Sequence, residues 1–316
     1  MASASTYIII VTYNGLTWLK RCLKSCGNYP VVVVDNASTD GTVGFIEQQF
    51  PNITLLKQET NLGFGQANNL GISYALNHGA KQVFLLNQDA YLVDDALEQL
   101  VTFQKTHPEY WVLSPLHVTP GLDRLDENFS HYVNYKNNAC FYSDYVLGHP
   151  IKPVYEVPFV NAAAWLVSLK CLNTVGGFDP LFFHYGEDDN YCQRVLFHGG
   201  KIGIIPNVKV IHDRVDREKH PIEPFSEAYY QHKLKNFKKR HANVNTFDVS
   251  VLNKKISSYK KPIIKAFCKG QFKRFKRLKH EQQLFITARQ DILKSVEQNK
   301  QQGATYLPLT QNKTNG

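Results

Sequence analysis

No run of about 18 consecutive apolar residues occurs in this 316-residue chain, so no segment reads as a bilayer-spanning helix. The opening residues MASASTY lack the charged region and apolar core of a secretory leader. Cysteine is scarce, and the six present show no zinc-like pairing. Cys22 and Cys26 lie four apart on an expected helix and read as reduced, packed thiols. No internal repeat is visible, and no Ser–His or Cys–His arrangement demands a covalent nucleophile. These absences lead to the expectation of a cytoplasmic protein.

What is present begins with charge. The formal net charge of +9 conceals an asymmetry: residues 1–213 hold 13 Lys+Arg against 19 Asp+Glu, and the remainder 23 against 8. A mildly acidic front part is joined to a strongly basic tail, which points to a polyanionic partner for the tail, membrane or nucleic acid. The length suits one large α/β domain with an appendage. Composition shifts to Lys, Phe and Gln beyond about Pro224, which sets a boundary between residues 1–223 and a mainly helical extension over 224–316 with a flexible end.

Tyr7–Val11 and Val31–Val34 are β-branched runs without alternation, as expected of parallel strands buried on both faces. Between them Leu16, Leu19, Cys22 and Leu23 recur at helical spacing. Ile53–Leu56 and Gln82–Leu86 read as further strands, with a helix around Gln66–Asn77 between them. This rhythm argues for an open sheet with helices on both faces. Thr119–Val157 is rich in Pro, Asn, Asp and Tyr and reads as loops and short strands. Ile202–Ile205 and Val208–Ile211 read as a pair of strands.

Small polar residues and acids fall at the strand ends, where open α/β sheets bind ligands. The first strand ends in Thr12-Tyr13-Asn14-Gly15 and the second in Asp35-Asn36-Ala37-Ser38-Thr39-Asp40-Gly41-Thr42. Asp40 and Thr42 have a plainer use as caps of the next helix; Asp35 ends a buried strand and is placed to bond a ligand. Asn61-Leu62-Gly63-Phe64-Gly65 opens a helix and is not a dinucleotide fingerprint, although free amides there suit phosphates or ribose. Leu85-Leu86-Asn87-Gln88-Asp89 delivers an acid, and the strand ending at Ile211 delivers His212 in the same manner. That pair could hold a divalent ion. Gly176–Arg194, GGFDPLFFHYGEDDNYCQR, sets Glu187, Asp188 and Asp189 at the start of a helix behind an aromatic run. One acid suffices to complement a helix start; three behind Phe182–Tyr185 suggest a carboxylate aimed at a pocket.

Taken in order, VTYNG (Val11–Gly15), VDNASTDGT (Val34–Thr42), NLGFGQANN (Asn61–Asn69), LLNQDA (Leu85–Ala90), the Gly176–Arg194 stretch and His212 resemble an inverting GT-A glycosyltransferase of family 2, most like its rhamnosyltransferase subgroup. The resemblance covers roughly residues 7–213. It implies a Rossmann-like mixed sheet flanked by helices. It implies that Thr12, Tyr13, Asn14 and Asp35 hold the base and ribose of a nucleoside diphosphate sugar, with Asn61, Gly63, Asn68, Asn87 and Gln88 beside the nucleotide. Asp89 matches the last acid of the family's Asp-x-Asp and His212 its downstream metal ligand, for Mg²⁺ or Mn²⁺. Asp188 matches the base, and Trp165, Glu187, Asp189 and Arg194 fall to acceptor contact or support. Asn87 stands for the first acid of Asp-x-Asp, and Asn190 for an Asp usual two residues past the base. The implied donor is dTDP-L-rhamnose, with a UDP-hexose or UDP-galactofuranose as alternatives. The implied acceptor is a lipid-linked saccharide of a bacterial surface polysaccharide.

The chemistry suits the residues themselves. A carboxylate can take the proton of an attacking sugar hydroxyl, and a cation at Asp89 and His212 can stabilise the departing diphosphate. From Lys254 to Lys279, basic residues interleave with Ile264, Phe267, Phe275 and Leu278 at helical spacing, which suits an anionic leaflet and a peripheral position at the inner face of the cell membrane; the alternative is a solvated helix whose apolar stripe packs on the front domain. A nucleic-acid-binding role for the tail is the rival reading, but no nucleic-acid-binding pattern occurs there. A catalytically dead nucleotide-sugar binder is a second rival, and intact Asp89, Asp188 and His212 argue against it.

Overall fold

A computed structural model of the chain describes residues 5–214 and 221–309. Strands β1 (Thr6–Thr12), β2 (Val31–Asp35), β3 (Thr54–Lys57) and β4 (Gln82–Asn87) alternate with helices α1 (Leu16–Ser25), α2 (Thr42–Gln49) and α3 (Gly63–Asn77), as their sequence periodicity predicts. The strands are parallel, with β3 at the edge of the sheet and Ile9 of β1 lying opposite Val32 on one side and Leu85 on the other. Their unbroken apolar runs follow from burial on both faces. Ile9, Val32, Val83 and Leu85 pack under Ile72 and Ala75 of α3, while Ile8, Ile10, Val31 and Val33 pack on Leu19, Cys22 and Leu23 of α1.

The second half of the sheet is mixed. After β5 (Ala90–Leu92) and α4 (Ala96–Thr106), β6 (Tyr110–Val118) leads into α5 (Glu127–Ser130), α6 (Ala139–Leu147), β7 (Tyr155–Glu156), β8 (Ala164–Ser168) and α7 (Leu169–Thr174). Then α8 (Glu187–Phe197) precedes β9 (Lys201–His212), and the sheet order is β3-β2-β1-β4-β8-β6-β9-β5, with β7 also on β9. Two expectations are corrected here. The strand pair expected over 202–211 is one strand, bulged where Pro206 and Asn207 interrupt the register between Ile205 and Lys209; proline has no N–H for the ladder and is accommodated at a bulge. The loops and short strands expected over 119–157 include two short helices, whose starts are fixed by Asp126 accepting from the Phe129 N–H and Asn138 accepting from the Phe141 N–H.

Helices α9 (Glu227–His241), α10 (Val249–Ser257), α11 (Lys260–Cys268) and α12 (Phe272–Asn299) form the basic extension. It folds back on the sheet domain. Buried Phe285, Ala288, Ile292 and Val296 of α12 share a core with Phe237 of α9 and Phe182 of the acidic loop. Phe237 and Phe285 stack with centroids 4.0 Å apart; truncating such a buried ring costs about 3–5 kcal/mol. Asp179 accepts from Ser295 Oγ at 2.6 Å and Asn299 Nδ2 at 2.7 Å, and the Gly177 N–H donates to the Thr305 carbonyl at 2.8 Å. The flexible end expected for the extension falls partly on residues 310–316, outside the described residues. Among the described residues no helix is long and apolar enough to cross a membrane.

Candidate active site

The loops at the carboxyl ends of β1, β2 and β4 are tied to one another. Thr12 Oγ1 and the Tyr13 N–H both donate to Gln88 Oε1, at 2.7 and 3.0 Å. Asn14 sits at φ 48°, a left-handed conformation that Asn tolerates better than most residues. Its N–H donates to Ser38 Oγ at 2.9 Å and its Oδ1 accepts from the Thr39 N–H at 2.8 Å. Asp40 accepts from the Leu16 N–H at 3.1 Å and from Thr42 Oγ1 at 2.6 Å, so the plainer capping use is the one its side chain has here. Asp35 differs. It is buried, its Oδ2 accepts from the Ser38 N–H at 3.1 Å, and its Oδ1 has no hydrogen-bond partner among the described residues. An orphaned buried acceptor costs about 1–3 kcal/mol, which a ligand hydroxyl at that spot would offset.

Asn61, Gly63 and Asn68 build the start of α3. Asn61 Oδ1 accepts from Asn36 Nδ2 at 2.9 Å and from the Gly63 N–H at 2.8 Å, and Asn68 Nδ2 donates to the Phe64 carbonyl at 3.0 Å. Gly63 has φ 78°, and a Cβ there would strike the backbone of Phe183. The absence of a side chain lets the acidic loop close against the turn at the start of α3. Asn69, which sequence reasoning passed over, grips that loop from α3: its Oδ1 accepts from the Phe178 N–H at 2.7 Å and its Nδ2 donates to the Phe178 carbonyl at 2.8 Å.

Gly186, at φ 107°, turns the chain into α8 and leaves Glu187, Asp188 and Asp189 in its first turn. Glu187 is buried, and burial, then the neighbouring Asp188, push its carboxyl up to about 7. Asp188 stays half-buried and accepts from the Asp189 N–H at 2.8 Å. Burial, then the Asp189 charge, push its carboxyl up to about 6, the range in which a carboxylate works as a base near neutral pH. Asp189 pairs with Lys239 of α9 at 2.6 Å.

Trp165 and Arg194 lie inside the protein. Trp165 is fully enclosed against Phe178 and Tyr191. Arg194 donates to the Val175 and Gly177 carbonyls at 2.8 and 2.6 Å and to Asn190 Oδ1 at 3.0 Å. In this conformation neither can reach an acceptor, and Arg194 instead fixes the turn that carries the acidic loop. The Asn190 at the usual Asp position holds that arginine.

Asp89 and His212 meet as expected at the ends of β4 and β9, both buried. Asp89 Oδ1 and His212 Nε2 are 3.6 Å apart, too far for a hydrogen bond and close to the spacing of two donors on one ion. One carboxylate oxygen and one imidazole nitrogen fit Mg²⁺ or Mn²⁺, with the other positions open to phosphate and water. Among the described residues no group of three or more His, Cys, Asp or Glu that could hold a metal is formed. Arg214, absent from the sequence-based set, donates from Nε to the same His212 Nε2 at 3.1 Å and stands 3.8 Å from Asp126. The guanidinium and a metal ion are therefore rivals for that nitrogen. Tyr132 joins the two halves of the site. Burial, then Asp188, raise its hydroxyl pKa, while Arg214 pulls the other way.

A mixed sheet flanked by helices, with polar loops at the carboxyl ends of its parallel strands, defines a protein of the GT-A fold class. The chain belongs to glycosyl transferase family 2, whose family model matches residues 7–150. It is 31% identical over 187 residues to a PGL/p-HBAD biosynthesis glycosyltransferase of Mycobacterium tuberculosis, covering 55% of this chain and 72% of that protein. It is 27% identical over 221 residues to the dTDP-rhamnosyl transferase RfbF of Shigella flexneri, covering 66% and 69%. Against the N-acetylglucosaminyl-diphospho-decaprenol L-rhamnosyltransferase of M. tuberculosis it is 26% identical over 234 residues, covering 66% and 75%. The fold resembles that of residues 1–349 of Staphylococcus aureus TarS in complex with UDP-GlcNAc, with a TM-score of 0.55 at 18% identity, over 92% of this chain and 81% of that one. The protein is a glycosyltransferase.

Proposed function

We propose that this enzyme transfers L-rhamnose, with inversion, from dTDP-L-rhamnose to a lipid-linked saccharide in the building of a bacterial surface polysaccharide. The relatives named for dTDP-rhamnose and for a diphospho-decaprenol acceptor support the donor and the acceptor class. The observation that carries the chemistry is the half-buried Asp188, whose charge acts on the Tyr132 hydroxyl together with that of Arg214, the donor to His212.

In this reading Asp35 accepts a ribose hydroxyl through its orphaned Oδ1, and the exposed Tyr13 ring lines the rim of the base site. Asp188 takes the proton of the acceptor hydroxyl as that oxygen attacks the anomeric carbon opposite the leaving diphosphate. Lys239 pairs with Asp189, which limits repulsion between the neighbouring carboxylates. Asp89 and His212 would hold a divalent cation, which supplies Lewis-acid stabilisation of the leaving group. Arg214 adds a fixed positive charge on the same side. At the membrane, the turn between α11 and α12 presents Ile264, Phe267 and Phe272 among lysines, which suits an anionic leaflet.

The test is a thermal-shift series with dTDP-, UDP- and GDP-sugars in Mg²⁺ or Mn²⁺, since a ligand selective for the native state raises its melting temperature. Assays with a synthetic lipid-diphosphate saccharide and NMR of the product linkage follow. dTDP-L-rhamnose should give the largest shift and product of inverted configuration. A larger shift with a UDP-sugar moves the donor assignment, and no shift with any nucleotide sugar overturns it.

A further inference from the structure

Beside the acidic loop lies a groove of about 420 Å³ that the donor and base assignments leave unused. One wall is the aromatic loop Leu181–Tyr185, and the other is the face of α9 carrying Gln231, Lys235 and Lys238. Phe183 and Tyr185 turn more than half their surface to solvent, and Ile222 nearly as much, at one mouth of the groove. Exposed apolar side chains grouped around a concavity mark a binding surface more often than scattered ones do.

The groove also carries charge. Lys235 lies over the Tyr185 ring at 4.8 Å. Lys238 Nζ donates to the Leu181 carbonyl at 3.0 Å. Among the described residues neither lysine forms an ion pair, in contrast to Lys239 one position along, which is matched by Asp189. Burial depresses both ammonium groups, and for Lys235 the charge of Lys239 adds to the effect. Glu187, Asp188 and Asp189 act on Lys235 in the opposite sense, and Asp179 and Asp291 on Lys238. Two partly desolvated cations without a bound carboxylate gain from an anion that enters the groove.

We propose that this groove is the acceptor subsite, in which Lys235 and Lys238 hold the diphosphate of a prenyl-diphosphate-linked saccharide while Phe183, Tyr185 and Ile222 cover the first isoprene units. The inference rests on the acceptor class assigned above. It places the charged joint of the acceptor beside α8, so that the attached sugar extends toward Asp188. A free saccharide would fill only part of this arrangement.

Farnesyl diphosphate, kept below its aggregation concentration, is the probe, with farnesol and inorganic diphosphate as separate arms, measured by calorimetry on the full chain. The full chain should bind farnesyl diphosphate at least 10-fold more tightly than either fragment. Lys235→Gln should weaken it at least 5-fold and Lys235→Arg should restore it. Tyr185→Ala, on the exposed wall, should weaken farnesyl diphosphate while leaving inorganic diphosphate unchanged. Each variant should bind dTDP as the parent does. Equal binding by parent and Lys235→Gln, or displacement of farnesyl diphosphate by dTDP, overturns the groove assignment. If dTDP binds and farnesyl diphosphate does not, only this inference falls; if dTDP itself does not bind, the donor reading falls instead.

Discussion

Lys239 Nζ of α9 stands 2.6 Å from Asp189 Oδ2, so a residue of the basic extension neutralises the acid next to the candidate base. Lys239 also acts directly on Asp188, opposing the rise that burial and Asp189 cause. The acid limb of the pH profile should reflect this. Because Asp188 must be ionised to accept a proton, kcat/KM should fall as pH drops through about 6. Lys239→Met should move that limb to higher pH while leaving dTDP affinity unchanged. An unmoved limb separates Lys239 from the tuning of the base.

Asp188→Asn keeps the shape of the side chain but cannot accept the proton. Turnover should fall on the order of 10²-fold or more with donor affinity retained, read by initial rates and donor titration. Near-normal turnover would shift the role to Glu187 or Asp189.

Glu187 allows a stability test with a definite sign. Its folded carboxyl is raised from 4.5 to about 7, so the native state binds the proton more tightly than the unfolded chain. The stabilisation linked to that proton is complete below about pH 4.5 and is lost as pH rises through 7. Glu187→Gln should therefore stabilise the protein at pH 8 relative to the parent, by on the order of 1–3 kcal/mol, and by much less at pH 4.5. Denaturant melts at the two pH values decide it. An equal effect at both would assign the change to packing.

Asp89→Ala and His212→Ala should each weaken Mn²⁺-dependent dTDP binding at least 10-fold, and EDTA should abolish turnover. Arg214→Ala frees His212 Nε2 from its present donor. It should tighten metal binding while slowing turnover. Full activity in EDTA would leave Asp89 and His212 as structural residues, with Arg214 as the cation at the site.

Membrane attachment is best tested on the α11–α12 turn. Truncation near Asn253, the cut that the sequence suggests, also removes Ser295 and Asn299 from Asp179 and so disturbs the acidic loop. Ile264, Phe267 and Phe272 are each about 60% exposed and hold no core position. Changing all three to Ser should abolish co-sedimentation with phosphatidylglycerol vesicles, and high salt should weaken it in the parent, since each nearby lysine contributes about 1 kcal/mol. Equal sedimentation by both proteins would sink the idea.

The parallel half of the fold was legible because strands buried on both faces and helices with one apolar stripe write their periods into the sequence. The meeting of Asp89 and His212 was legible for a related reason, since one lies just past the end of β4 and the other closes β9. Proline inside β9 hid the continuity of that strand, because a bulge looks like a break in one dimension. For Trp165 and Arg194 the sequence left acceptor contact and support both open, because the burial of a large polar-tipped side chain is set by distant residues. Lys239 and Arg214 were invisible, since nothing in their local sequence says which distant carboxylate or imidazole they face.

The bond from the Gly177 N–H to the Thr305 carbonyl has a consequence for the order of assembly. The turn that leads to Glu187, Asp188 and Asp189 is closed by residues near the end of the described chain. During synthesis the sheet can form early, but the acidic loop lacks this strap until residue 305 has left the ribosome. The contact spans a long sequence separation and so is expected to form late. Stalled nascent chains ending before residue 299 should therefore bind dTDP without gaining transferase activity. Activity in such chains would show that the strap is dispensable.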